Sequence, residues 1–186
     1  MLPKQLSEEE VLSGRFRVEK GRFERNGREF ERYRIDRVDA ACILLWDREK
    51  DEVILTRQFR YPVAAHQQEM ILEIVAGKVD DGEGPMHTAV RETEEETGYV
   101  VSEKQVTFCT SGYTSPGYTT ERFHIFIAEV SSADKTSKGG GLEEEAEEIE
   151  LVSIPTDEFY RQVDENEIVD IKTILAAKYL EKLRRK

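Results

Sequence analysis

Residues 77–99 read GKVDDGEGPMHTAVRETEEETGY, a loop that runs into a segment of helical periodicity. Gly84 and Pro85 supply an N-cap and a first helical residue, because the amide that proline lacks would be unbonded in the first turn anyway. The pattern predicts a helix over residues 85–97. At about 100° per residue, Met86, Ala89, Val90, Thr93 and Thr97 share one arc, and Glu92, Glu95 and Glu96 fill the next. One face packs, and the adjoining face is a carboxylate cluster. Glutamates three and four residues apart repel by roughly 0.2–0.5 kcal/mol per pair, so the cluster calls for positive charge nearby. Hard oxygen donors grouped this way suit Mg²⁺ or Mn²⁺. With 35% of the chain charged, a solvated acidic face is the competing reading, and the carboxylates alone do not exclude it.

On either side of this stretch lie strand-like runs. DAACILLW and DEVILTRQFR, separated by the charged residues 47–52, predict an antiparallel core pair, and MILEIVAG predicts a strand ending at Gly77. ERFHIFIAEV alternates Phe123, Ile125 and Ile127 against His124, Phe126 and Ala128, the mark of a central strand with two apolar faces. Upstream, residues 14–39 carry Asn26-Gly27 between alternating apolar positions and predict a hairpin of edge strands. The run SSADKTSKGGG, residues 131–141, has the composition of a mobile connection before the acidic LEEEAEEIE. Two helices are expected to close the chain, the second from Asn166 with Ile168, Ile171, Ile174 and Leu175 in one stripe.

A length of 186 residues with 38% hydrophobic content suits one core, with residues 1–39 as an N-terminal extension and 40–186 as the main domain. A net charge of −12 argues against a nucleic-acid polymer as partner, since such proteins concentrate basic residues. Bound cations can still bring a small phosphorylated substrate into an acidic cleft. The opening residues lack the pattern of a secretory signal and no run is long enough to span a membrane, so a cytoplasmic protein is expected. Cys42 and Cys109 sit in apolar runs and are expected to be buried, unpaired thiols.

At seven fixed positions, Gly77, Glu83, Arg91, Glu92, Glu95, Glu96 and Gly98, the opening stretch resembles the Nudix box G-x5-E-x7-R-E-U-x-E-E-x-G-U. Thr93 and Tyr99 stand where aliphatic residues are usual. The segments LTRQFRY, EIVAGKVDDGE, TSPGYTTERFHIFIAE and GGGLEEEAEEIE are similar to those of the ADP-ribose and nucleoside diphosphate sugar pyrophosphatases of that family. The glycine-rich loop resembles GDP-mannose enzymes, whereas EIVAG resembles the Glu-x-Pro-Ala-Gly of ADP-ribose enzymes, with Val75 replacing the proline.

The resemblance implies an α/β/α sandwich with a mixed sheet and a homodimer whose N-terminal strands cross to the partner. It also implies Mg²⁺-dependent hydrolysis of a nucleoside diphosphate sugar. ADP-ribose, split to AMP and ribose 5-phosphate, stands ahead of GDP-mannose, and a non-catalytic module that senses nucleotide sugars is the alternative of another class. Implied metal ligands are the Ala76 carbonyl, Glu92, Glu95, Glu96 and Glu147. Glu145 of the acidic loop is the implied base, although Glu143, Glu144 and Glu148 offer the same chemistry one or two positions away. Arg91 would organise the carboxylates and Glu83 would tighten the loop. Arg57, Arg60, Glu73, Gly117 and Glu121 are the implied substrate contacts, arginine being suited to bidentate phosphate binding.

Overall fold

The computed structural model describes residues 2–14, 16–66, 70–141 and 149–185. Among the described residues ten strands and four α-helices follow one another: β1 (Lys4–Leu12), β2 (Arg17–Arg25), β3 (Arg28–Asp36), β4 (Ala40–Asp47), β5 (Glu52–Gln58), α1 (Tyr61–Ala64), β6 (Ile71–Glu73), β7 (Val75–Lys78), α2 (Pro85–Thr97), β8 (Val106–Tyr113), β9 (Arg122–Val130), β10 (Glu150–Pro155), α3 (Thr156–Asp164) and α4 (Ile171–Arg184).

The main sheet has the order β10-β5-β4-β9-β8, with β6 paired to β5 and β7 paired to β4. Strands β4 and β9 run parallel and the other pairs are antiparallel, so the sheet is mixed. Alternation along the central strands divides the core between two faces. Leu44, Leu55, Ile125 and Ile127 pack with Phe159 and Val163 of α3 and Ala176 and Leu180 of α4. Ala41, Ile43, Leu45 and Phe126 pack with Ala89 of α2 and with Tyr99. Three layers result, helix, sheet and helix, as the resemblance implies.

The sheet forks at its centre. One edge of β4 pairs with β7 through residues 40–43 and with β5 through residues 45–47. The chain of β6 and β7 fills the fork, pairing first with β5 and then, past Ile74, with β4.

Residues 4–36 form a separate antiparallel sheet of order β1-β2-β3. The Asn26-Gly27 turn closes the expected hairpin, with Phe23 and Phe30 stacked across it at 5.7 Å. Strand β1 was not legible, because all nine of its residues are exposed; ladder pairing holds it to β2, with surface ion pairs from Lys20 to Glu9 and from Arg34 to Glu8. The hairpin meets the main sheet where the Ile35 amide donates to the Tyr118 carbonyl (2.7 Å).

The last helix differs from its predicted form. It begins at Ile171 with Asp170 as N-cap, and Ile171 and Leu175 are exposed. Thr173, Ala176, Ala177 and Leu180 are buried in their place, and the first three are small residues that let the helix approach the sheet closely. Of the two thiols, Cys42 is buried and Cys109 half-buried, and both are free. Burial pushes the Cys109 thiol up to about 11.

Candidate active site

Helix α2 occupies the predicted span, with Pro85 in its first turn. Thr93 and Thr97, fully buried, satisfy their hydroxyls on the carbonyls of Ala89 (2.7 Å) and Thr93 (2.5 Å). A threonine at box position 93 is therefore compatible with a packed face.

On the adjoining face Arg91 is the hub. Its guanidinium lies 2.9 Å from Glu92 Oε1, 2.9 Å from Glu95 Oε2 and 3.4 Å from Glu83 Oε2. Burial works against the charge of Arg91, and the hydrogen bond to Glu83 with the nearby Glu92 and Glu95 carboxylates outweighs it and raises the pKa. Glu83 also accepts from Thr88 Oγ1 (2.6 Å) and meets His87 Nδ1 at 2.5 Å. The Thr88, Arg91 and His87 contacts hold the Glu83 carboxyl down at about 2, and this residue ties the loop to the helix.

The carboxylate of Glu92 lies against Gly77, where any Cβ would overlap it. Glycine at the first box position thus lets a helix carboxylate approach the strand that carries the Ala76 carbonyl. Glu96 is buried on the same helix at 8% exposure. Hard oxygen donors beside a glycine gap fit a small divalent cation. Among the described residues no three His, Cys, Asp or Glu side chains enclose a metal position, and Arg91 spans the carboxylates. Glu145 and Glu147, with Glu143, Glu144 and Glu148, lie outside the described residues.

Residues 136–141 strap onto the C-terminal end of α2, in place of the mobile connection their composition suggests. The Gly140 amide donates to the Glu96 carbonyl (2.8 Å), Gly141 to Glu95 (3.3 Å) and Thr136 to Gly98 (2.8 Å). These bonds satisfy carbonyls that a helix end leaves open. Gly139, at φ +66°, passes so close to the Glu96 carbonyl and Thr97 that no side chain fits. The segment leading to the acidic loop is thereby fastened to the backbone of the two residues whose side chains are candidate ligands.

The other implied contacts are dispersed. Arg57 shares a sheet face with Val53 and Leu55, the face covered by α3 and α4, and pairs with Glu150 at 3.1 Å. It lines a cleft of about 490 Å³ with Met70, Gln162 and Glu167, on the side away from α2. Glu73 is 2% exposed and accepts from Arg60 Nε (2.6 Å) and from Lys172. Glu121 accepts from Arg37 Nη2 (2.9 Å) and Thr114 Oγ1 (3.3 Å). Gly117 lies in a second cleft of about 590 Å³ between β3 and the segment after β8, beside Tyr33, Tyr113 and Tyr118. His124 bonds Asp39 at 3.0 Å, a structural contact.

That Asp170, Lys172 and Thr173 gather around Glu73 is not legible in the sequence. Their one local signal was an aspartate three residues before a threonine, the pattern of a helix N-cap.

Comparison with known proteins agrees with this geometry. A NUDIX domain matches residues 36–175. The chain is 41% identical over 148 residues to a GDP-mannose pyrophosphatase of Cronobacter sakazakii, covering 78% of this chain and 75% of that protein. It is 42% identical over 142 residues to a GDP-mannose pyrophosphatase of Pectobacterium atrosepticum, covering 75% and 71%. The fold is that of a crystal structure described as an ADP compounds hydrolase, with a TM-score of 0.81 and 21% identity over 100% of this chain and 95% of that one. With the box glycine opening the gap that receives Glu92, and a domain match across most of the chain, this protein belongs to the Nudix family.

Proposed function

We propose that the protein hydrolyses the diphosphate linkage of a nucleoside diphosphate sugar, giving a nucleoside monophosphate and a sugar phosphate. The observation that carries this reading is the carboxylate array of α2, gathered by Arg91 and seated against Gly77. Glu92, Glu95, Glu96 and the Ala76 carbonyl would hold divalent cations, with Glu147 as a further ligand. Mg²⁺, or Mn²⁺ in its place, supplies neutralisation of the diphosphate and of the charge that develops during displacement. Arg91 keeps the carboxylates from repelling one another, and Glu145 of the acidic loop takes the proton of the attacking water. Arg60 meets a substrate phosphate, a role suited to a half-exposed guanidinium.

We infer GDP-mannose ahead of ADP-ribose, the reverse of the order suggested by EIVAG, a reading supported by the relatives' shared name. A panel of nucleotide sugars, assayed for monophosphate release with and without Mg²⁺, should show metal-dependent turnover of one of these two above the rest. Turnover of neither, with Mg²⁺ or Mn²⁺, would refute the proposal.

We also infer a cytoplasmic homodimer, joined through the extension of residues 1–39. Among the described residues no helix is long and apolar enough to cross a membrane, and both cysteines are free thiols. The dimer is favoured by the exposure of Leu6, Val11, Leu12 and Phe16 on or beside β1. Light scattering should return twice the 21.5 kDa chain mass, and a monomer at micromolar concentration would reject the exchange.

A further inference from the structure

Glu121 is a part-buried carboxylate, 17% exposed, whose two oxygens are used unequally. Oε1 accepts twice from Arg37, from Nε at 3.2 Å and from Nη2 at 2.9 Å. Among the described residues Oε2 has one long side-chain contact, from the Thr114 hydroxyl at 3.3 Å. An ionised carboxylate accepts about four hydrogen bonds, so Oε2 keeps capacity for a donor that enters from outside. At neutral pH a diphosphate offers no such donor, whereas the hydroxyl groups of a nucleotide sugar do.

The surroundings of Glu121 place it beside the candidate ligands. It comes two residues before Phe123, which is aligned with Ala40 of β4, and on the same strand Ile125 is aligned with Cys42, itself paired with Ala76. Burial above all raises the pKa of the Cys42 thiol, and the charges of Lys172, Asp170, Glu121 and Glu73 act on it in turn, so the four lie near one point of the sheet. The start of α4 is seated there as well, where the Ile74 amide donates to Thr173 Oγ1 at 2.9 Å.

Arg37 is itself fixed. Its amide donates to Thr120 Oγ1 and its carbonyl accepts from the same hydroxyl, both at 2.8 Å. The ring of Phe16, in the connection between β1 and β2, lies 4.9 Å from the guanidinium. The Thr114 amide donates to the Glu121 carbonyl at 3.0 Å and closes residues 114–121, which carry Gly117, into a loop. One arginine thus ties the N-terminal extension to the base of a loop of the main domain. Without it the Glu121 side chain keeps only the Thr114 contact among the described residues, and a part-buried carboxylate without its cation turns to water or takes up a proton.

We propose that Arg37 is a positioning residue for substrate binding: seated on Phe16 of the extension, it fixes Glu121 with Oε2 open to a substrate hydroxyl. This rests on the reading of the chain as a nucleotide-sugar hydrolase in which Glu121 meets substrate.

The test compares Arg37→Gln, Glu121→Gln, the double variant of both and Phe16→Ala with the parent. KM and kcat are measured for the better of GDP-mannose and ADP-ribose in Mg²⁺, with the melting temperature of each protein. Arg37→Gln and Glu121→Gln should each raise KM about tenfold, more than kcat falls, on the scale of one charge-assisted hydrogen bond. The double variant should be no worse than Glu121→Gln alone, since residues that act through one contact do not add. Phe16→Ala removes the ring and leaves the ion pair, and should raise KM about threefold. A parental KM in Arg37→Gln or in Phe16→Ala, whatever the melting temperature, would overturn the proposal, and so would a double variant in which the two KM effects multiply. If Arg37→Gln fails to fold, Arg37→Lys, which keeps the charge and loses the two-nitrogen grip, takes its place in the same comparison. Should Glu121→Gln keep the parental KM, the role of Glu121 and this inference fail together while the hydrolase reading stands. Should the parent turn over neither substrate, the hydrolase reading fails, and calorimetric affinities of the same proteins for the two nucleotide sugars decide the positioning, an absence of binding overturning that too.

Discussion

Glu96→Gln protein should lose turnover by at least about 10²-fold, on the scale seen when one preorganised electrostatic contact to a reacting group is removed. The replacement has nearly the same shape, so the 8% exposed site stays filled. Removing one of several clustered like charges also relieves repulsion, and the melting temperature should hold or rise slightly. Glu94, exposed on the same helix, is the control, and Glu94→Gln should keep parental turnover. Steady-state rates across a range of Mg²⁺ concentrations distinguish lost chemistry from weakened metal binding. A Glu96→Gln rate within about tenfold of the parent, well short of the expected loss, would remove Glu96 from the ligand set.

Gly139→Ala should have the largest effect on stability. An L-residue held at φ +66° pays about 1–2 kcal/mol, and here the new Cβ would also strike the Glu96 carbonyl and Thr97. Opening the strap then forfeits amide bonds to the end of α2, each worth about 1 kcal/mol. A total of about 2–3 kcal/mol corresponds to a fall of roughly 5–10 °C in melting temperature for a chain of this length. Turnover should drop with it, because the backbone displaced is that of Glu96 and small misplacements of catalytic groups are expensive. Gly112 has ordinary φ and open space around it, so Gly112→Ala should melt close to the parent. Equal melting of the two variants would show that the strap is not a fixed part of the fold.

What could be read from the residues was whatever repeats at short range. Helix α2, the β2–β3 hairpin and the antiparallel β4–β5 pair follow from periodicity and turn chemistry, and the structure has all three. The Arg91 hub was expected from the box resemblance, and its partners are local, on the same helix and in the preceding loop. Strand β1 carried no signal, since pattern reading depends on burial and β1 has none. The glycine run misled in a different way. Composition registers conformational freedom, while the function of that freedom, reaching positive φ to lie flat on a helix end, depends on a partner about 40 residues earlier in the chain. The Lys172–Glu73 pair was hidden for the same reason, as a lysine in a helix reads as solvated until the fold places it against a buried carboxylate.

The grip of Thr173 on Ile74 joins positions 99 residues apart, which bears on the order in which the molecule can assemble. Contacts that close so long a loop carry an entropic penalty that nearby contacts must first offset, so they form late. Helix α2 and its carboxylates, by contrast, are built from neighbours in sequence. The charged face of the helix should therefore take shape early, while the strand that carries Gly77, already laddered to β4, should gain its contact with α4 only when that helix docks. The candidate ligands of α2 are thus near neighbours in sequence, while the strand that faces them is tied to α4 by a contact that spans 99 residues.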